Sequence, residues 1–375
     1  MSIRNRIAPI LAIAVTASLF NAEIGAAVDS LPGPAQSTVL QSATRLNVPR
    51  AFPVGEEPIG ATDYRPQDHL RQGLEIPEST AHEPSGNFQL ICTFSHFAYD
   101  DPIVAPGRPG QSHLHTFFGN TGADANSTYE SLRTTGESTC QGGPLNRSAY
   151  WMPTVIDGSG RAVVPDLISV YYTGRGRNTA GQWVDVAELV PGLRMIAGSI
   201  PGAANTDSRH RWFCGTNQVK ARTIPSSCDA DEEVLVTLDF PDCWDGRHLD
   251  VADHRSHVAY QRYHPTTGQP YCPSTHPVAI PKFTLNVYFS HEGDTSDWHL
   301  VSDRMANTRQ HPDGESFHAD WFGAWDPDAL STWTSRCING QLNCEWGNLG
   351  DGTGLSINEN YDGPKRVRVP TRPGG

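Results

Sequence analysis

The sequence predicts a mainly β fold, arranged as a single antiparallel, sandwich-like domain with long loops, few short helices and disulfide bonds. Three observations support this class: segments of alternating apolar and polar residues, a high content of turn-forming residues, and an even number of cysteines. The chain of 375 residues contains 35 glycines, 29 prolines and 8 cysteines. Alternation is typical of strands that bury one face, and glycine and proline end such strands in turns.

Four segments have the composition expected of strands. The clearest is FTLNVYFS, residues 283–290, in which aromatic or aliphatic residues occupy every second position. The others are β-rich runs that end near glycine, proline or polar residues: DLISVYYTG (166–174), RMIAGS (194–199) and VLVTLDF (234–240). One helix is predicted after Asp326, because this residue is a suitable N-cap and Pro327 suits the first turn.

The chain divides into four regions by composition. Residues 1–27 are predicted to be a signal peptide, because a basic start and an apolar core precede the small residues Gly25–Ala27. Residues 28–85, which are rich in Pro, Ser and Thr, are predicted to form a flexible leader. Residues 86–345 are predicted to form a folded domain, and residues 346–375 a Gly-rich tail. We therefore expect an exported protein, extracellular or periplasmic. We expect no membrane span, since no later apolar run approaches the ~20 residues that a spanning helix needs.

Charge and cysteine content narrow the classes of function. The chain has 41 acidic and 28 basic residues, a net charge of −13, which argues against binding to a nucleic-acid backbone. In an exported chain, 8 cysteines predict four disulfide bonds. We predict sequential pairing, because it closes four short to medium loops without threading the chain.

Two short stretches predict a metal site. GQSHLHTFFGN, residues 110–120, places His113 and His115 on one face of an extended segment, because side chains at i and i+2 point the same way. FHADWFGAWD, residues 317–326, repeats this spacing with one imidazole and one carboxylate. If the stretches meet, four side chains form a set suited to zinc, copper or calcium, namely His113, His115, His318 and Asp320. The alternative is a hydrogen-bonded structural pair of histidines.

A third stretch predicts acid–base chemistry. PDCWDGRHLDVADHRSHVAY, residues 241–260, concentrates carboxylates and imidazoles in a loop with few apolar residues. General acid–base catalysis needs one group that donates a proton and another that accepts one. The candidates for catalysis are Asp245, Asp253, His254 and His257. The alternative is structural, because aspartate side chains often close turns.

Aromatic residues near the polar stretches predict contacts with a sugar. The candidates for substrate binding are Asp101, Tyr150, Trp151, Trp244 and Trp321. Flat aromatic faces stack on sugar rings, and a carboxylate can accept hydrogen bonds from hydroxyl groups. Core packing is the alternative for each aromatic residue.

Six segments of the chain recur, in this order, in one known family. They are CTFSH (92–96), DDPIVAPGRPGQSHLHTFFGN (100–120), AYWMP (149–153), the block from FPDCWDGRHLD to HVAY (240–260), CPSTHPVAIP (272–281) and FHADWFGAWD (317–326). By these segments the chain resembles DUF1996, a family of secreted domains of unknown function in fungi and bacteria. The resemblance covers roughly residues 86–345. It implies an exported protein and a carbohydrate setting, since some members are joined to cell-wall or carbohydrate-binding modules, but it assigns no role to any residue.

These observations favour an extracellular hydrolase that acts on a polysaccharide or cell-wall polymer through a His/Asp cluster, with assistance from a divalent metal. The chain lacks the G-x-S-x-G, H-E-x-x-H, P-loop and G-x-G-x-x-G signatures of other enzyme classes. One alternative is a non-catalytic protein that binds carbohydrate or cell wall, and a weaker one is copper-dependent oxidation. The expected partner is a glycan, not nucleic acid, and the sequence does not indicate an oligomeric state.

Overall fold

The structure is a computed structural model. It describes residues 64–80, 85–174, 176–177, 183–203, 209–215, 220–229, 232–291, 294–357 and 365–370. The predicted signal peptide, residues 1–27, lies outside these ranges. Strands far outnumber helices in the described chain, and nearly all strand pairs are antiparallel, so the predicted mainly β class is confirmed.

The largest sheet has six strands and contains three of the four predicted strands. In spatial order they are His210–Cys214, Val234–Asp239, Lys282–Phe289, Leu167–Thr173, Asn87–Cys92 and Asn343–Cys344. Asn87–Cys92 and Asn343–Cys344 pair in parallel, and all other neighbours in this sheet are antiparallel. Along Lys282–Phe289 half-buried and buried residues alternate, as the sequence predicts.

The second sheet has five strands, all antiparallel, and includes the fourth predicted strand at one edge. In spatial order they are Arg194–Gly198, His318–Phe322, Ala149–Pro153, His115–Gly119 and Phe94–Ala98. Both polar stretches with the i, i+2 spacing therefore contribute strands to one sheet. We call this sheet the histidine sheet.

Five smaller sheets complete the β structure. Three have two strands: Leu70–Gln72 with Thr353–Leu355, Gly176–Arg177 with Trp183–Val184, and Arg262–Tyr263 with Pro270–Tyr271. One has three strands, in the order Val258–Ala259, Cys243–Trp244 and Val278–Ala279. One has four strands, in the order His299–Leu300, Val155–Ile156, Arg161–Val164 and Lys365–Arg368. Ordered structure thus extends beyond both predicted boundaries of the folded domain, at residues 85 and 346.

The described helices are few and short. The two α-helices are Tyr129–Thr134 and Pro327–Trp333, the second continues as a π-helical turn at Thr334–Asn339, and 3-10 turns lie at Pro66–His69, Gly143–Leu145 and Val301–Arg304. The Asp326 carboxylate accepts hydrogen bonds from the backbone N–H groups of Asp328 and Ala329, which confirms the predicted N-cap. Within the described ranges, none of the helices combines the length and the apolar character needed to traverse a bilayer.

The two large sheets face each other across one hydrophobic core. The hydroxyl groups of Tyr150 and Tyr172, one from each sheet, are 3.1 Å apart. The rings of Trp321 and Phe283 meet edge to face with centroids 5.5 Å apart. Aromatic side chains therefore fill much of the space between the sheets, and each ring removes a large apolar area from water.

The histidine sheet is also covered on its other face. A second hydrophobic cluster there joins Phe117, Trp151 and Phe322 of the sheet to Ile103 of a loop and Leu132 of the helix Tyr129–Thr134. Because both faces are covered, polar side chains at the ends of these strands are buried as well. This is the environment of the two histidine-containing stretches.

Four disulfide bonds connect sequential cysteines, as predicted. They are Cys92–Cys140, Cys214–Cys228, Cys243–Cys272 and Cys337–Cys344. Four disulfides in one chain are typical of proteins that fold in an oxidising compartment.

Removing a disulfide should destabilise the fold according to the length of the loop that it closes. The Cys92–Cys140 bond spans 48 residues and the Cys337–Cys344 bond spans 7, and all four cysteines are almost fully buried. We expect Cys92→Ala/Cys140→Ala to lower the free energy of unfolding by about 4 kcal/mol and Cys337→Ala/Cys344→Ala by about 2.5 kcal/mol. Urea unfolding of both variants measures the difference, and a larger loss for the short loop would contradict the loop-entropy account.

Candidate metal centre

Three histidines from two distant parts of the chain converge at one end of the histidine sheet. His113, His115 and His318 each offer a ring nitrogen, and these three nitrogens lie within 4.8 Å of one another. The ring centroids are 4.2 Å apart for His113 and His115 and 5.3 Å apart for His113 and His318. Three imidazole nitrogens at such separations are close enough to be candidate ligands of one metal ion. We call these residues the three-histidine cluster.

The strand register explains why the histidines meet. His115 lies opposite Pro153, and Trp151 lies opposite Asp320 on the other side of the same central strand. Two residues further along the two antiparallel strands, the same register sets His318 opposite Pro153. Pro153 therefore has His115 on one side and His318 on the other, and all three side chains lie on one face of the sheet. His113 precedes the strand at the i, i+2 position and adds the third ring on that side.

A glycine lets the edge strand approach His318 closely. Gly198 pairs with His318 and has a φ of +84°, a conformation that residues with a side chain rarely adopt. A Cβ atom at Gly198 would lie 2.6 Å from the carbonyl oxygen of Phe317 and 2.9 Å from the Cα atom of His318. The backbone at this end of the sheet therefore requires glycine.

Backbone carbonyls fix the orientation of two of the three rings. Nδ1 of His115 donates to the carbonyl of Asp100 at 2.9 Å, and Nδ1 of His318 donates to the carbonyl of Ser316 at 2.9 Å. A carbonyl oxygen can only accept, so in the neutral rings the proton sits on Nδ1 and the lone pair on Nε2. This second contact on the far nitrogen is typical of histidines that ligate metals.

Carboxylates in turn hold these carbonyls in place. Asp100 accepts backbone N–H bonds from Gly110 and Ala125, which fixes the loop between them. Asp303 is fully buried and accepts from the backbone of Leu300, Gly314 and Ser316 and from the Ser316 hydroxyl. Each ring is thus supported by a loop whose polar groups are satisfied.

Burial keeps the imidazoles neutral. Loss of hydration lowers the pKa of His115, and it lowers the pKa of His318 to about 3. Only a neutral imidazole has a lone pair to offer a metal. The buried Nε2 of His115 has no hydrogen-bond partner among the described residues, so its lone pair is available.

Two carboxylates and one guanidinium surround the cluster. Burial raises the pKa of Asp320 well above its usual range, the charge of Asp101 adds to this effect, and the charge of Arg255 opposes it. Asp101 also acts on His115, and Arg255 acts on His318. Asp320 is fully buried, and within the described chain its Oδ2 atom has no hydrogen-bond partner. It lies beside the three-histidine cluster but is not one of its closely spaced members.

Residues 101–325, which hold all of these side chains except Asp100, match the family described as "Domain of unknown function (DUF1996)". The chain belongs to the DUF1996 family. No curated protein and no solved structure matches it.

In this DUF1996 domain the predicted acid–base residues do not join the three-histidine cluster. Asp245 accepts from the backbone of Arg247 and His248, and Asp253 accepts from the backbone of Arg255 and Ser256, so both close turns. The structural alternative considered for these aspartates therefore describes their contacts.

The two predicted acid–base histidines also make local contacts. Nδ1 of His254 lies 2.9 Å from Asp250, and its backbone has a φ of +56°. His257 is buried, and its Nε2 donates to the carbonyl of Arg194 at 2.7 Å. The contact of His254 lies within the loop, and the contact of His257 holds the loop against the edge strand of the histidine sheet. Their assignment to catalysis stays a prediction.

The predicted substrate-binding residues separate into two groups. Asp101 is buried beside the cluster, where its Oδ1 accepts from the backbone of Ile103 and Val104. The four aromatic residues are buried to at least 99% and pack in the interior: Tyr150, Trp151, Trp244 and Trp321. Buried rings offer no face to a ligand at the surface, so their environment favours the packing alternative.

Sequence reasoning missed Arg255 and Gly198. Arg255 belongs to the segment DHRSH, in a stretch from which only aspartates and histidines were selected as candidates. Gly198 is the next-to-last residue of the predicted strand RMIAGS, and a glycine near a strand end was the only available signal. Both are recognised only from the pairing of distant strands.

Substitution of Gly198 tests the close approach of the edge strand. We expect Gly198→Ala to lower the free energy of unfolding by about 1–3 kcal/mol more than Gly160→Ala does. Gly160 is a matched control, because its φ of +79° is similar but a Cβ atom there would meet nothing within 4 Å. Urea unfolding measures both losses, and equal losses would contradict the steric argument.

The burial of His318 should make the metal-free protein sensitive to acid. The unfolded chain binds a proton below the ordinary histidine pKa of 6.5, whereas folded His318 does so only near pH 3, so stability falls as the pH falls through this window. Between about pH 7.5 and about pH 5 we expect wild type to lose about 2 kcal/mol more than His318→Asn, which keeps a donor for the Ser316 carbonyl.

Chemical unfolding at the two pH values, with a chelator present, measures this difference. Equal losses in wild type and in His318→Asn would show that His318 is not held in its neutral form.

Proposed function

We propose that this DUF1996 protein is an extracellular, metal-dependent hydrolase acting on a polysaccharide or cell-wall polymer. One observation carries the proposal: three imidazole nitrogens within 4.8 Å of one another, two of them on buried rings whose Nδ1 atoms are engaged by carbonyls. Catalytic zinc sites use three protein ligands and leave one coordination position for water. Structural zinc sites use four ligands, and here the fourth close ligand is not found among the described residues.

The donor set favours zinc or copper over calcium. Imidazole nitrogen suits zinc and copper, whereas calcium takes six to eight oxygen ligands. We therefore propose His113, His115 and His318 as the ligands, and we place Asp320 beside the ion as a proton acceptor. When bound, a divalent ion lowers the pKa of a coordinated water, which makes it a nucleophile near neutral pH.

The protein residues supply the remaining elements of hydrolysis. The buried Oδ2 of Asp320 has no hydrogen-bond partner among the described residues, so it is placed to accept a proton from an attacking water. Burial of this carboxyl favours its neutral form, so a nearby cation is needed to keep it ionised. Asp101 adds a second buried carboxylate near the cluster, where its Oδ1 accepts from the backbone of Ile103 and Val104. The polymer class comes from the sequence and its family setting, and the site supports the reaction type.

The non-catalytic alternative has less support. It depended on aromatic faces that stack on sugar, and the four aromatic residues predicted for this role are buried. Copper-dependent oxidation remains the alternative that shares the same ligands, and metal content distinguishes it from hydrolysis.

Metal content and hydrolysis of the purified protein test the proposal together. We expect about one zinc per chain by elemental analysis, and release of new reducing ends from at least one member of a polysaccharide panel. His113→Ala/His115→Ala should lose the metal and lower the hydrolysis rate by at least about 100-fold, as should a chelator. The matched control His264→Ala/His299→Ala removes two histidines outside the cluster and should keep both properties.

Three outcomes would contradict the proposal. Wild type without stoichiometric metal would exclude the ligand assignment. A folded double variant with full hydrolytic activity would exclude a catalytic role for the ion. Stoichiometric copper with oxidative cleavage products would favour the alternative reaction.

A further inference from the structure

Arg255 lies next to the three-histidine cluster, held by the edge strand of the histidine sheet. Its Nη1 donates to the carbonyl of Gly198 at 3.1 Å, and its Nη2 lies 3.5 Å from the carbonyl of Ser199. Gly198 is the residue that pairs directly with His318. The guanidinium is therefore anchored one strand away from a proposed metal ligand.

Among the described residues Arg255 has no ion-pair partner, since no carboxylate oxygen of that part of the chain lies within 4.0 Å of its guanidinium. Arg133 and Arg194 pair with Asp326 and Asp250, whereas Arg71 and Arg147, like Arg255, donate to backbone carbonyls. What distinguishes Arg255 from Arg71 and Arg147 is its position beside the three-histidine cluster, where an anion would supply the counter-charge that a half-buried cation lacks.

The contact with Gly198 brings the charge of Arg255 close to the cluster, because Gly198 pairs with His318. Burial has the largest influence on the pKa values of Asp320 and His318, raising the first and lowering the second, and the charge of Arg255 shifts both downward. The two neutral carbonyls orient the guanidinium but leave Nε and one N–H group on each Nη available. These donors have the fork geometry that recognises planar oxyanions.

We propose that Arg255 forms an anion-binding subsite beside the three-histidine cluster and that it binds a carboxylate group of the substrate. The inference rests on the proposed function and narrows its substrate to polymers that contain uronic acids. A carboxylate is favoured over a phosphate monoester because Asp101 and Asp320 are close and the chain carries a net charge of −13. A monoanion meets less repulsion there than a dianion does.

Binding of small probes to the zinc-loaded, full-length protein tests the subsite. Isothermal titration with glucuronate, glucose and inorganic phosphate compares a carboxylate, a neutral sugar and a dianion. We expect glucuronate to bind wild type about 10- to 100-fold more tightly than glucose, with phosphate weaker than glucuronate. Arg255→Gln should abolish the preference for glucuronate and leave the zinc content unchanged.

Two further variants sharpen the test. Arg255→Lys keeps the charge without the fork, so we expect it to retain only part of the preference. Arg247→Gln removes an exposed arginine of the same loop and should behave as wild type. If Arg255→Gln does not fold, the lysine variant decides, because a full preference in Arg255→Lys would contradict recognition by the fork.

The outcomes separate this inference from the proposed function. Wild type that holds zinc but binds glucuronate and glucose equally overturns the subsite and leaves the metal centre intact. Tighter binding of phosphate than of glucuronate also overturns it, since the site would then take a dianion. Wild type that holds no zinc overturns the metal centre, and a preference for glucuronate that is lost in Arg255→Gln would then support the subsite alone.

Discussion

The register of the histidine sheet is the constraint on which the candidate site depends. Antiparallel pairing on both sides of Ala149–Pro153 places His115 and His318 on one face, although they come from distant parts of the chain. A slip of one residue in either strand would turn its histidine into the interior core and an apolar residue out of it. Because the sheet packs on both faces, that slip is strongly disfavoured. The packing of aromatic residues thus sets the geometry of polar ones.

The same burial determines the chemistry of the cluster. Imidazoles at the surface are partly protonated near neutral pH, but loss of hydration holds His115 and His318 in the neutral form. Their Nδ1 atoms donate to backbone carbonyls, so the Nε2 atoms are the ring nitrogens without a backbone hydrogen bond. Among the described residues, the buried Nε2 of His115 and Oδ2 of Asp320 have no hydrogen-bond partner, which is costly in an apolar interior. A cation on the three histidines would engage the nitrogen of His115 and would favour the ionised form of Asp320.

Much of the fold was predictable because its signals are local. Period-two alternation identified the strand Lys282–Phe289, the Asp326 cap identified a helix, and cysteine order identified the disulfides. The convergence of His113, His115 and His318 was predicted from the i, i+2 spacing in two stretches, together with the assumption that these two stretches meet in the fold. Burial and partner choice are non-local, so the sequence did not show that Trp244 would be interior or that Asp253 would close a turn. For the same reason Arg255 gave no signal.

The balance of charge at the site connects the two proposals. Without a cation, burial favours the neutral form of Asp320, and Asp101 and Arg255 act on this carboxyl with opposite charges. A divalent ion on the three histidines would favour ionisation of Asp320, because a bound cation reverses the effect of burial on a neighbouring carboxyl. The ion, the guanidinium and the two carboxylates would then sum to one net positive charge. One carboxylate of the substrate would neutralise this excess charge, whereas a dianion would leave the site with a net negative charge.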